Sequence, residues 1–329
     1  MRISVLDQSP IPEGSTPGQA LRNSIELAQV AERSGYYRYW VAEHHGTPGL
    51  ACNSPEVLIG PIAAATGRIR VGSGGVMLPH YSPLKVAETF SMLGGMYPGR
   101  IDLGLGRAAG TSPSVAVALQ RDRRQRPPDD FPEQLAELLS YFAGEPKGPF
   151  PMLRDRFFHA VDPWLLGSSI QSSIWAAEMG LPYVFADFIN PEGEAAAAYY
   201  HQQFKPSRWA DRPRMGVAVW AVCAETTAEA QRLASSARMM MTMLFRGQLI
   251  PVPSVEKAMA FLEREGVPAE ELPVGRRLIA GDPPAVRKAI EAVAREYEAE
   301  EVLLVNILYD HQSRCRSYEL VAGALASGG

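Results

Sequence analysis

The sequence predicts an α/β fold, a single (β/α)8 TIM barrel. Three observations carry this. In the first third of the chain, strand-like and helix-like runs alternate with a period near ~30 residues, the length of a βαβ unit. The strand-like runs are apolar on both faces, as parallel strands covered by helices are. They number eight, whereas a doubly wound sheet usually stops at about five or six. All 329 residues then form one domain, 1–329. Insertions are expected after strands 4 and 7: an Arg- and Pro-rich stretch at about 107–161 and an irregular helical segment at about 240–280.

The elements follow in order. "ISVLDQ" (3–8) reads as a strand, and "PGQALRNSIELAQVAERSG" (17–35) as an amphipathic helix closed by Gly35. "YYRYWVAE" (36–43) is an aromatic-rich strand. Ser54-Pro55 and Ser82-Pro83 each set a capping residue before proline at the first helical position, after which helices run to about 66 and 97. Between them lies the strand "IRVGSGGVML" (69–78), and "RIDLGLG" (100–106) is the fourth. Within the insertion, "DFPEQLAELLSYF" begins with Asp130 and Glu133 in a capping-box arrangement. The four arginines of 121–126 stand near Asp122, Asp129 and Asp130 and read as a solvated, self-paired surface. The remaining strands are 162–168, 182–187, 214–224 and 301–308.

Composition narrows the function. Hydrophobic residues make up 46% and charged residues 21%, ordinary for a globular chain. A net charge of −4 argues against nucleic acid as the main partner. The N-terminus has no signal-peptide core and no apolar run reaches the ~20 residues of a membrane span, so no membrane partner is expected. Cys52, Cys223 and Cys315 are scattered and odd in number, which suits buried thiols in a reducing cytoplasm.

In a barrel of this kind, function sits at the C-terminal strand ends. Those ends carry Glu43-His44-His45, Gly74-Gly75, Gly106-Arg107, Gly167-Ser168-Ser169, Asp187 and Asp310-His311. Strand alternation turns His44 away from Glu43 and His45, and the other histidines, of six in all, supply no matching cluster. One of the pair is therefore expected to be a neutral hydrogen-bonding or acid–base group rather than a metal ligand. "DLGLGRAAG" has GxGxxxG spacing and no strand ending in an acidic residue some ~20 positions later, so it is not a dinucleotide fingerprint. Its glycines let backbone approach a flat ligand, and Arg107 is available to a phosphate. "GSSIQSS" (167–173) ends a strand and opens a helix, where free N–H groups and hydroxyls favour an anion.

At these residues the chain resembles the bacterial luciferase-like flavin monooxygenases. The resemblance rests on "WVAEHH", "VGSGGVMLPHYSPLKVAE", "GRIDLGLGRAAG" and "GSSIQSSIWAAEMGLP", runs from residue 1 to about 205, and returns in "RRLIAGDPPAVRKAIEAVAREY". It implies a barrel that binds FMN or, in one branch, F420, usually as a dimer. It implies that His44 assists the flavin chemistry, that Gly74-Gly75 lies beside the flavin ring where a cis peptide is common, and that Arg107, Ser169 and Ser172 meet the phosphate. Gly106 and Ser168 stand where the light-producing subunits carry a cysteine and a glutamate, and those subunits' long mobile loop near the seventh strand has no obvious counterpart. The resemblance is therefore to single-chain relatives rather than to the light-producing pair.

The resulting expectation is a cytoplasmic homodimer that uses reduced FMN and O2 to oxygenate a small organic substrate, with a separate flavin reductase as the source of reduced FMN. The catalytic candidate is His44. The cofactor candidates are Gly74, Gly75, Gly106, Arg107, Ser168, Ser169 and Ser172. An F420-dependent hydride-transfer enzyme and a non-catalytic flavin-binding protein are the alternatives.

Overall fold

The apolar runs pair side by side in chain order. The computed structural model describes residues 1–107, 113–119, 130–144, 161–266 and 277–326. Strands β1 (Arg2–Asp7), β2 (Arg38–Val41), β3 (Arg70–Met77), β4 (Ile101–Gly106), β5 (Asp162–Gly167), β6 (Tyr183–Ala186) and β7 (Met215–Cys223) lie parallel, each beside the next. A late strand, β9 (Glu301–Val305), pairs with both β7 and β1 and closes the eight-stranded parallel barrel.

Helices α1 (Pro17–Arg33), α2 (Pro55–Ala65), α3 (Pro83–Met96), α6 (Ile170–Met179), α7 (Glu194–Gln203), α10 (Pro283–Glu296) and α11 (His311–Ala326) follow strands in the expected rhythm. Gly35, at φ +83°, takes the left-handed conformation expected just past α1. In the first insertion α4 (Pro113–Leu119) and α5 (Phe131–Phe142) are helical, while the arginine run 121–126 lies outside the described residues. Asp130 precedes α5 but makes no side-chain capping bond, because its φ/ψ of −109°/24° is not the extended geometry a cap needs.

The second insertion corrects the sequence reading. An irregular helical stretch is expected at about 240–280. Two helices, α8 (Thr227–Phe245) and α9 (Val255–Glu265), do lie in this stretch, but they are followed by an unexpected ninth strand, β8 (Leu278–Gly281). It runs parallel to the end of β7, with Trp220 to Cys223 opposite Leu278 to Gly281. β7 is nine residues long, so its far end extends past its pairing with β9 and accepts this extra neighbour. Four residues ending in glycine carry too little periodicity to read as a strand.

Alternation sorts the side chains. Val5, Tyr39, Val41, Leu103 and Val217 point outward into the core shared with the helices. Leu6, Trp40, Ala42, Trp164, Val184, Ala218, Trp220, Leu303 and Val305 fill the interior. At the N-terminal end this interior is ionic. The buried Arg38 reaches Asp102 and Glu301, both at 2.7 Å, and its guanidinium lies over the Trp40 and Trp164 rings. Arg70 joins Asp102 to Asp162, the Ser4 hydroxyl donates to Glu301, and the Trp40 indole N–H donates to Asp102. Burial opposes the charge on Arg38, but the two carboxylates outweigh it and hold the guanidinium's pKa above its usual range.

At the other end, backbone bridges Pro10 to Leu50 and Pro12 to Val252 build a small cap over the β1–β2 side of the mouth. Met240 and Met241 of α8 pack beneath it against the interior cluster. Cys52, Cys223 and Cys315 are buried free thiols. Among the described residues no helix is long and apolar enough to cross a membrane.

Replacing Arg38 by alanine strips Glu301 of its ionic partner and leaves Asp102 with only Arg70. We expect a loss of about 3–5 kcal/mol in urea unfolding, the scale for breaking a buried pair. A loss below about 1 kcal/mol would show that the network does not hold the barrel.

Candidate functional site

The uncapped side of the mouth opens above β3 to β7, and its shape comes from glycines. β3 carries Gly74 and Gly75, joined by a cis peptide bond, and its pairing with β4 shifts register between Ser73 and Val76. A Cβ on Gly75 would stand 2.8 Å from the Gly104 carbonyl oxygen, so only glycine lets the two strands approach here. A Cβ on Gly106 would touch the Met77 sulfur at 3.4 Å. A Cβ on Gly167 would run into the side chain of Ser172.

β5 delivers Gly167, Ser168 and Ser169 to the start of α6, where Ser169 is the N-cap in extended geometry. Its hydroxyl makes no capping bond, which leaves the Ile170 and Gln171 amides uncapped by a side chain, while the Ser172 N–H bonds back to the Ser169 carbonyl at 3.2 Å. Ser172 donates its hydroxyl to the Ser169 carbonyl at 2.6 Å and shares a second bond with the Tyr183 hydroxyl at 2.8 Å. Asn190 steadies the same turn by donating to the Ser168 carbonyl at 3.0 Å. The Arg107 guanidinium lies over the Trp175 ring, 5.4 Å from its centroid.

These residues enclose one cavity of about 420 Å³, within the ~300–1,000 Å³ usual for ligand sites. All seven cofactor candidates line it: Gly74, Gly75, Gly106, Arg107, Ser168, Ser169 and Ser172. Polar groups gather at the β4–β5 end, while Leu6, Leu166, Val184, Phe188 and Ala218 form an apolar wall. Sequence reasoning missed Trp175, Met77 and Phe188. Trp175 had a readable signal, since it lies three residues after Ser172 and so on the same helix face.

His44 does not line this cavity, although it continues the interior row Arg38, Trp40, Ala42 above the two packed tryptophans. Its amide donates to the Cys52 carbonyl, and its Nδ1 is buried with no hydrogen-bond partner among the described residues. Burial, and then the neighbouring His45, lower its pKa to about 4. His44 is thus a neutral ring at physiological pH, able to give or take a hydrogen bond but not a cationic acid.

Glu43 and His45 fall on the outer face, as alternation requires, and meet at 2.7 Å. Asp187 also faces outward, bonded to the Tyr297 hydroxyl at 2.8 Å, with Arg277 at 3.4 Å. His311 approaches Glu26 and Cys315. Neither Asp187 nor the Asp310-His311 pair reaches the cavity.

A closed parallel barrel with a glycine-lined cavity beside a helix start at its C-terminal mouth defines a class: a (β/α)8 barrel with a ligand-sized site at its strand ends. Within that class, the chain belongs to the luciferase-like monooxygenase family, whose model matches residues 1–299. It is 45% identical to the uncharacterized protein YwcH of Bacillus subtilis strain 168, covering 98% of this chain and 99% of that one. It is 36% identical to the N-acetyl-S-alkylcysteine monooxygenase of the same organism, over 99% of this chain and 98% of that one. The solved structure of apo-MsnO8 superposes with a TM-score of 0.90 at 40% identity, covering 99% of this chain and 98% of that one.

The lowered pKa of His44 fixes the sign of a pH effect. Between about pH 6.5 and 4 the unfolded chain takes up a proton that the folded chain refuses, so stability falls as pH drops through that window. A His44→Gln variant should lose less stability over this range than the parent chain, measured by chemical denaturation at each pH. Parallel pH curves would show that His44 is not buried neutral.

Proposed function

We propose that the protein is an FMN-dependent monooxygenase that takes reduced flavin from a separate reductase and uses O2 to oxygenate a small organic substrate. The observation that carries this is the joining of Arg107, the α6 start and the Gly74-Gly75 wall around one cavity. The donor set fits FMN: a terminal phosphate monoester carries nearly two negative charges and suits an arginine opposed by free helix amides. Bound FMN, when reduced, would supply the electrons and activate O2.

The chain's own groups would bind and shield. Ser169 and the first-turn amides would receive the phosphate, and Arg107 would add a charge-assisted bond from the β4 side. Ser172 contributes differently from the expectation: its hydroxyl is already committed to Ser169 and Tyr183, so it shapes the cradle. The apolar wall would keep water from the reacting centre, and His44 would offer a neutral hydrogen bond. The N-acetyl-S-alkylcysteine monooxygenase relative supports oxygenation of a small molecule as the reaction class.

Arg107→Ala should weaken FMN far more than riboflavin, by on the order of 2 kcal/mol, because only FMN offers the phosphate. Calorimetric titration of both ligands decides it, and equal losses would remove Arg107 from that role. F420 binding in place of FMN would move the protein to hydride transfer.

A mixture of the protein, FMN and NADPH should oxidise negligible NADPH until a flavin reductase is added. Rapid anaerobic bleaching of FMN by NADPH alone would recast the protein as self-sufficient.

A further inference from the structure

Glu43 is a buried carboxylate at the rim of the barrel that neither the cradle nor the cavity uses. It stands just beyond β2, fully enclosed, yet every donor it meets except His45 comes from the segment that follows the glycine pair. Its Oε2 accepts the backbone N–H of Met77 at 3.0 Å. Its Oε1 accepts the Tyr81 hydroxyl at 2.9 Å and faces the His45 Nε2 at 2.7 Å.

The placement of these donors matters. Met77 is the last residue of β3, two positions past the cis Gly74-Gly75 bond, and lines the cavity. β3 slips register against β4 just before it and pairs again at Val76–Leu105 and Met77–Gly106, but the β2–β3 ladder ends at Val41–Ser73, so on the β2 side this strand end is held by Glu43. Tyr81 follows the short 3-10 turn Leu78–His80 that leads into α3. One carboxylate therefore fastens both ends of the turn to β2.

We propose that Glu43 is a positioning residue for the flavin ring: it pins the end of β3 so that the Gly74-Gly75 backbone and Met77 present a fixed wall to the cavity. This rests on the flavin reading of that cavity. It also assigns the sequence "EHH" a division of labour, with His44 turned inward while Glu43 and His45 brace the wall from outside. Loss of the pin would loosen the ring side and leave the phosphate cradle intact. The signature is thus the reverse of Arg107: FMN and riboflavin should weaken by the same factor.

The test uses Glu43→Ala, which removes the acceptor of the Met77 N–H and of the Tyr81 hydroxyl together. Both flavins should bind about tenfold more weakly, the scale of one lost charged hydrogen bond. Tyr81→Phe keeps the carboxylate and should weaken both about threefold. Tyr36→Phe, which removes a buried bond to the Tyr318 carbonyl beside the other end of β2, is the stability control and should leave both affinities unchanged.

Hydrogen exchange at the Met77 amide, followed without any flavin, should quicken about tenfold in Glu43→Ala, which leaves that N–H without its acceptor. Unchanged exchange would overturn the pin itself, whatever flavin does. Faster exchange with unchanged flavin affinity would overturn the positioning role, as would selective loss of FMN or an equal loss in Tyr36→Phe. If the parent protein binds neither flavin, the functional reading falls, and the role of Glu43 toward a flavin falls with it.

Discussion

The barrel stands on one buried cation. Arg38 sits where the interior narrows, and its two carboxylates come from β4 and from β9, the strand that closes the circle. A guanidinium enclosed this deeply is tolerable only beside its counter-charges: Nε meets Glu301 and Nη1 meets Asp102, while Nη2 has no hydrogen-bond partner among the described residues, so the strands that carry the two carboxylates are held at one distance from β2. Trp40 and Trp164 lie edge to face at 5.5 Å directly above it. This charged floor and its aromatic layer set the depth to which any ligand can sink from the mouth.

The upper half is asymmetric for a related reason. The cap built by Pro10, Leu50, Pro12 and Val252, with the methionines of α8, covers the β1–β2 side. The cavity is therefore displaced toward β3 to β7, where glycines stand at the strand ends and the α6 start is open. His44 marks the boundary between these halves. It is interior in phase but shielded, which accounts for both its unpartnered Nδ1 and its reluctance to take a proton.

Much of this was legible in the chain. The eight barrel strands read within a few residues because each is a dense apolar run, and parallel strands buried on both faces leave that trace. That Arg107, Ser168, Ser169 and Ser172 line one cavity was foreseeable because they lie at strand ends, where topology forces convergence. What sequence could not give was bond-level commitment. A serine at a helix start looks the same whether it faces a ligand or, like Ser172, is occupied by Ser169 and Tyr183. The ninth strand escaped because four residues that pair with only one neighbour need no strong pattern. The seat of His44 depends on a cap assembled from residues about 200 apart, which no local window contains.

The floor also sets an order on synthesis. Asp102 follows Arg38 by 64 residues, but Glu301 follows Arg38 by 263. Until it arrives, β1 and β7 present unpaired edges, and Arg38 has only Asp102 for its charge. Between the completion of β7 and the making of β9, the nascent chain therefore carries an open sheet. Its closure is a single late event between positions far apart in sequence, the kind of contact that makes folding slow. A chain cut short before residue 301 would keep both margins open, each a template for pairing with another strand.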